Sequence, residues 1–128
     1  MIVAGVGCRR GASAAEIEAA ITAALARAHL PRSALDAVAT SAAKRDEVGI
    51  AAAASALSVR LVLVPQCELE AVGSRVVTHS QRVAALTGVP SVAEAAALAA
   101  AGAAAHLVTP RVVVGAATCA LARAGGTP

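Results

Sequence analysis

A three-layer α/β/α sandwich around a mixed sheet of about five strands is the fold this chain predicts, from three observations. Short apolar runs alternate with alanine-rich stretches of helical period through the first half, the pattern of strand–helix–strand units. Two further apolar runs near the C-terminus have no helix-length segment between them, so they read as neighbouring strands. The length of 128 residues fits one domain, able to bury roughly two thirds of its unfolded surface.

Taken in order, residues 2–7 form a short apolar run containing glycine, which reads as a buried first strand ending in a turn. Ser13 followed by Glu16 is a capping box, and Ile17, Ala20, Ile21, Ala24, Leu25 and Ala28 then recur on one face, predicting a helix over 14–28. His29-Leu30-Pro31 ends it. A second strand follows over 35–42, a charged loop over 44–47, a second helix over 47–57, and the most β-like run in the chain over 59–64. Residues 66–72 read as a short helix closed by Gly73, and 80–86 as another closed by Gly88. Ser91 and Glu94 form a second capping box that opens an alanine-rich helix running to about residue 101, where Gly102 stops it. Strands over 106–108 and 112–122 follow, with their connection in 110–115. One domain over 1–124 and a frayed tail over 125–128 are expected.

Composition narrows the function classes. Apolar residues make up 58% of the chain without a single Phe, Tyr or Trp, so the core is built from Ala, Val, Leu and Ile; the alanine excess reads as compositional bias. Mean hydropathy is +0.72, yet no window offers about 20 uninterrupted apolar residues. The longest candidate, 92–108, carries Glu94, Gly102 and His106. No membrane span is therefore expected. The N-terminus lacks a basic region, and Arg9 and Arg10 interrupt its apolar stretch, which argues against a secretory signal and for the cytoplasm. Cys8, Cys67 and Cys119 are widely spaced and form no CxxC pair, so reduced thiols and no metal site are expected. A net charge of +3 is too small for nucleic acid without a basic stripe or stacking aromatics. It suits a small anionic ligand.

The turn over residues 5–13 is the first site candidate. Gly7 and Gly11 allow a ligand close to the backbone, the start of a helix favours an anion, and Arg9 and Arg10 can grip carboxylate or phosphate in bidentate fashion. A dinucleotide fingerprint fits poorly, because Arg10 stands in the glycine spacing and no acid closes the second strand; a P-loop is excluded by the absence of Gly-Lys-Ser/Thr. Flanking arginines and a helix start are conditions that activate a thiol such as Cys8, whereas a buried, inert thiol at the strand end is the plainer reading. Lys44 follows the second strand at the same end of a parallel sheet, where it would converge with the arginines on a ligand carboxylate. Glu47 reads as a general base or simply as the cap of the second helix. Ser80 and Ser91 open helices and so offer further anion seats, with capping placed ahead of ligand contact for both.

Together, Gly5-x-Gly7-Cys8-Arg9-Arg10-Gly11, Ala39-Thr40 with Lys44 and Glu47-x-Gly49, and the run from Gly88 through Ala97 resemble the CobE/CbiG C-terminal family of cobalamin biosynthesis, over nearly the whole chain. Ala117-Thr118-Cys119-Ala120 is similar to that family's last strand. The resemblance implies the stand-alone form of the domain, a corrin precursor as ligand, other enzymes of the pathway as partners, and no cofactor. It also implies a choice between a hydrolase-type activity on a precorrin lactone, assistance to methylation or ring contraction, and a carrier without chemistry. A precorrin is an apolar ring edged by carboxylates, which matches Arg9, Arg10, Lys44, Ser80 and Ser91 as a rim. A nucleotide-dependent enzyme using the glycine turn is the remaining alternative.

Overall fold

The computed structural model describes residues 1–78, 84–85 and 91–125. Its strands are β1 (Ile2–Cys8), β2 (Leu35–Ser41), β3 (Arg60–Val64), β4 (His106–Val114) and β5 (Ala117–Arg123), and they form one sheet in the order β3-β2-β1-β5-β4. β1, β2 and β3 run parallel; β5 runs antiparallel to both β1 and β4. The sheet is therefore mixed and five-stranded, as the sequence predicts. Its helices are α1 (Ala14–Arg27), α2 (Val48–Ala56), α3 (Gln66–Ala71) and α4 (Val92–Ala101).

Alternation along β1 divides the core in two. Ala4 and Val6 point into a cluster with Ile17, Ile21 and Leu25 of α1 and Ile50 of α2. Val3 points the other way, among Leu69 of α3 and Ala96, Ala97 and Leu98 of α4. Helices thus cover both faces. No helix among the described residues is long and apolar enough to cross a membrane.

Local chemistry explains most boundaries. The capping box of α1 is reciprocal: the Ser13 hydroxyl accepts from Glu16 N–H and the Glu16 carboxylate accepts from Ser13 N–H. The helix closes at Ala28, one residue before His29 turns to φ 56°. At Gly5 a Cβ would be driven into the Ala93 carbonyl and lie 2.6 Å from Ala97 N, so α4 rests directly on the β1 backbone. Alanines along α4 make that approach possible, which gives part of the alanine excess a packing reason beyond compositional bias.

Two boundaries differ from expectation. Residues 106–114 form one strand instead of a break at Pro110, and only Gly115 and Ala116 separate β4 from β5. β4 is an outer strand whose register shifts between Thr109 and Val112, and such a strand tolerates a proline's missing N–H. Gly73 does not close α3; Val72 does, and Gly73–Arg75 is a separate 3-10 turn. The helix expected over 80–86 and its closure at Gly88 lie largely outside the described residues, as does Ser80.

Candidate functional site

The carboxyl ends of β1, β2 and β3 lie on one side of the sheet, so the segments after β1 and β2 meet there, joined by the β4–β5 turn, since Cys8 pairs with Ala117. Two hydroxyls grip the end of β1. Thr40 donates to the Val6 carbonyl (2.7 Å) and Thr118 to the Gly7 carbonyl (3.2 Å). A Cβ at Gly7 would sit 2.8 Å from the Thr118 hydroxyl, and Gly7 is buried. This strand contact alone requires that Gly7 carry no side chain.

The turn after β1 is filled from within. Arg9 N–H donates to the Ala116 carbonyl (2.9 Å), Ala12 N–H to the Arg9 carbonyl (3.1 Å), and Ser13 N–H to Glu16 (3.2 Å). Gly11 N–H donates to the carboxylate of Glu47 (2.9 Å). The backbone donors of Arg9, Gly11, Ala12 and Ser13 are thus engaged by the protein's own groups. These internal contacts narrow the backbone anion seat expected of the turn. Arg9 and Arg10 are exposed, and among the described residues the ion pair within reach is Arg32 with Glu18, elsewhere on the surface. Gly11, exposed with φ 78°, is the position where the turn requires glycine.

Glu16 ties this turn to the β4–β5 connection through a second oxygen that accepts from Ala116 N–H (2.9 Å). That bond, followed by those from Ser13, holds its carboxyl below the usual carboxylate range against the opposing effect of burial.

After β2, the Ser41 hydroxyl accepts from Ala43 N–H (3.2 Å) and opens a 3-10 turn, Ala42–Lys44. Glu47 stands at the N-cap of α2 but makes no side-chain cap there; its carboxylate reaches Gly11, 36 residues earlier. That corrects the capping reading. Gly49 explains how the two segments come so close, because a Cβ there would collide with the Ala12 carbonyl. Lys44 is half-buried on this side. Burial raises the Cys8 thiol pKa; the Lys44 charge opposes this and Glu47 reinforces it. The net direction is upward, so Cys8 is a protonated thiol at neutral pH and not an activated one. The structure brings together Cys8, Arg9, Arg10, Gly11, Lys44 and Glu47.

The start of α4 lies over β1 at Gly5 and Gly7. Ser91 is fully buried and its hydroxyl accepts from Glu94 N–H (3.4 Å), which engages it as a cap beneath the surface. The expected second capping box is half formed, because the Glu94 carboxylate turns elsewhere. It accepts from Val77 N–H (2.7 Å), Thr78 N–H (2.9 Å), the Thr78 hydroxyl (2.6 Å) and Arg111 N–H (2.9 Å). Burial pushes this carboxyl up, but the Thr78 hydroxyl and the backbone N–H groups of Thr78, Arg111 and Val77 outweigh it and hold the group below its usual range. Sequence reasoning missed this anchor, since its partners lie 16 and 17 residues away with no periodic signal. Val48, 83% exposed beside Glu47, and Val77, 59% exposed beside the start of α4, were also missed. A concavity of about 140 Å³ between α3 and the end of α4, lined by Val72, Leu98 and Gly102, is smaller than sites that enclose a drug-sized ligand, about 300–1,000 Å³. It contains none of the candidate residues. No group of His, Cys, Asp and Glu among the described residues is arranged to hold a metal ion.

Comparison with known proteins gives the context for this geometry. The family described as cobalamin synthesis G C-terminus matches residues 2–122. Protein CobE from Sinorhizobium sp. is 40% identical over 121 residues, covering 94% of this chain and 79% of that protein. The crystal structure of CobE, a protein from the cobalamin (vitamin B12) biosynthetic pathway, superposes with a TM-score of 0.90 at 35% identity over 96% of this chain and 89% of that one. The cobalamin biosynthesis protein chiG from Agrobacterium tumefaciens str. C58 has a TM-score of 0.78 at 46% identity, covering 98% and 100%. A putative cobalamin biosynthesis protein G homolog from Sulfolobus solfataricus has a TM-score of 0.70 at 27% identity, over 98% of this chain but 37% of that longer one. With its mixed sheet and both helical layers matched across nearly its whole length, the chain belongs to the cobalamin synthesis G C-terminus family and is a protein of cobalamin biosynthesis.

Proposed function

We propose that the protein binds a polycarboxylate corrin intermediate at the carboxyl end of its sheet, with Arg9, Arg10 and Lys44 meeting the ring's acetate and propionate groups. The observation that carries this reading is the bond from Gly11 to Glu47, which draws the arginine turn and the lysine loop to one place. Arg9, Arg10 and Lys44 all belong to these two segments, and Val48, exposed beside Glu47, adds apolar surface. A carboxylate-edged apolar ring needs both kinds of surface. Its binding to an open face, without aromatic stacking, relies on charge-assisted hydrogen bonds at the periphery.

Binding and transfer to another enzyme of the pathway is favoured over a covalent step. Burial raises the Cys8 thiol pKa, and the Glu47 carboxylate is engaged by Gly11 in the ligand-free protein, so neither group named from the sequence stands ready there as nucleophile or base. Titration with hydrogenobyrinic acid, followed by the ligand's visible spectrum, tests the reading. A spectral shift or co-elution at micromolar concentration is expected, with the ligand recovered unchanged. R9A/R10A should weaken affinity by at least tenfold, since a charge-assisted hydrogen bond contributes about 1.5–3 kcal/mol. Unchanged affinity in that variant moves the site elsewhere, and turnover of the bound ligand overturns the carrier role.

A further inference from the structure

Resting on that reading, we infer that Glu47 is an internal competitor: its carboxylate occupies the position on Gly11 N–H that a ligand carboxylate takes when it binds. Glu47 stands at the N-cap of α2 and yet makes no cap with its side chain. Instead it crosses to a turn 36 residues away and accepts from an exposed N–H at 2.9 Å. The turn does not depend on this bond for its shape. Arg9 N–H to Ala116, Ala12 N–H to Arg9 and Ser13 N–H to Glu16 hold it independently, and φ 78° at Gly11 is set by glycine itself. Displacing Glu47 therefore frees a donor on a preformed turn rather than unfolding it.

The surroundings fit an exchange of one carboxylate for another. Arg9 and Arg10 immediately precede the donor in sequence, and Lys44 lies close enough to Cys8 to act on its thiol, as Glu47 does. A carboxylate arriving among these cations meets Glu47 as a like charge and as a rival for the same N–H. The ligand that binds must supply a carboxylate there and bring further contacts, which a polycarboxylate ring does and a lone small acid does not. Glu47 thus biases the site against single carboxylates.

The test compares wild type, R9A/R10A, E47Q, E47A and D46N in titrations with hydrogenobyrinic acid, with acetate and with cobinamide, whose side chains are amides. E47Q keeps a weaker acceptor on Gly11 and loses the charge; E47A removes the acceptor altogether. D46N removes a neighbouring exposed charge without freeing the donor. For hydrogenobyrinic acid, E47Q and E47A should bind roughly tenfold more tightly than wild type, the scale of one charge-assisted hydrogen bond. D46N should change little, and cobinamide should be indifferent to Glu47. Acetate should bind E47A measurably and wild type not at all. Equal or weaker binding by E47Q and E47A overturns the inference while leaving the binding reading intact, provided wild type binds and R9A/R10A weakens it. The same tightening in D46N, or for cobinamide, reduces the effect to bulk charge or loosened structure and also overturns it. Failure of every variant to bind overturns the binding reading as well.

Discussion

Glu94 carries the largest concentration of hydrogen bonds on one side chain among the described residues, and it does so with no exposed surface. Each carboxylate oxygen accepts twice, joining residues 77 and 78 to α4 and to β4. A glutamine can satisfy one oxygen's pair of donors, but its NH₂ must face the other pair. E94Q should therefore cost about 3 kcal/mol, read by urea denaturation, because buried donors left without an acceptor bear their full desolvation penalty. The same group predicts an acid limb. Its folded pKa lies below the usual 4.5, so its contribution is complete above about pH 4.5 and is lost as pH falls through the lower folded value, the unfolded carboxyl taking up its proton first. Wild type should lose stability over that range, and E94Q should lose less; an acid limb of equal size in both takes the dependence away from Glu94. None of this was legible in the sequence. Ser91 and Glu94 carry the spacing of a capping box, and half of it forms, but a local pattern cannot reveal that distant donors outbid the helix's own N-terminus. Glu47 misled in the same way, standing at a cap position while serving a turn 36 residues off.

At the scale of elements, the reading succeeded where a signal was local. The capping box, the apolar face and the closure after Ala28 of α1 all lie within sixteen consecutive residues, and the helix begins and ends within a residue of expectation. Pro110 is a local stop signal that cuts β4 short in sequence, whereas its tolerance depends on lying at the outside of the sheet, which is a property of the whole strand order. Contacts between elements were equally hidden. Gly5 and Gly49 belong to sequence motifs that give no hint of packing; in the structure each is where one backbone rests on another. G5A should push α4 off β1 at Ala93 and Ala97, costing about 3 kcal/mol at the upper end for overpacking, since the obstructing atoms are backbone and cannot rotate away. G49A should be milder in stability but specific in function. By lifting the start of α2 from the Ala12 carbonyl it parts Glu47 from Gly11, so thermal denaturation should show a smaller loss than G5A, while corrin affinity changes more.

For the molecule as a whole, the three cysteines are distributed so that they report separately on different parts of the fold. Cys67 lies exposed on α3, Cys8 is half-buried at the end of β1, and Cys119 is buried in β5 between two neighbouring strands. Burial alone drives the Cys119 thiol far above its ordinary value, and burial raises Cys8 as well. A disulfide reagent reacts with the thiolate, so both access and proton loss order the rates. At pH 8 one thiol should react quickly, a second slowly, and the third only as fast as the native state opens globally, because a central strand is released with the cooperative unit. Hydrogenobyrinic acid bound over Arg9, Arg10 and Lys44 should slow the second phase and leave the first unchanged. A ligand that slows the Cys67 phase instead lies against α3, on the opposite face of the sheet from α1 and α2, and the Arg9–Arg10 turn is then not where the corrin sits.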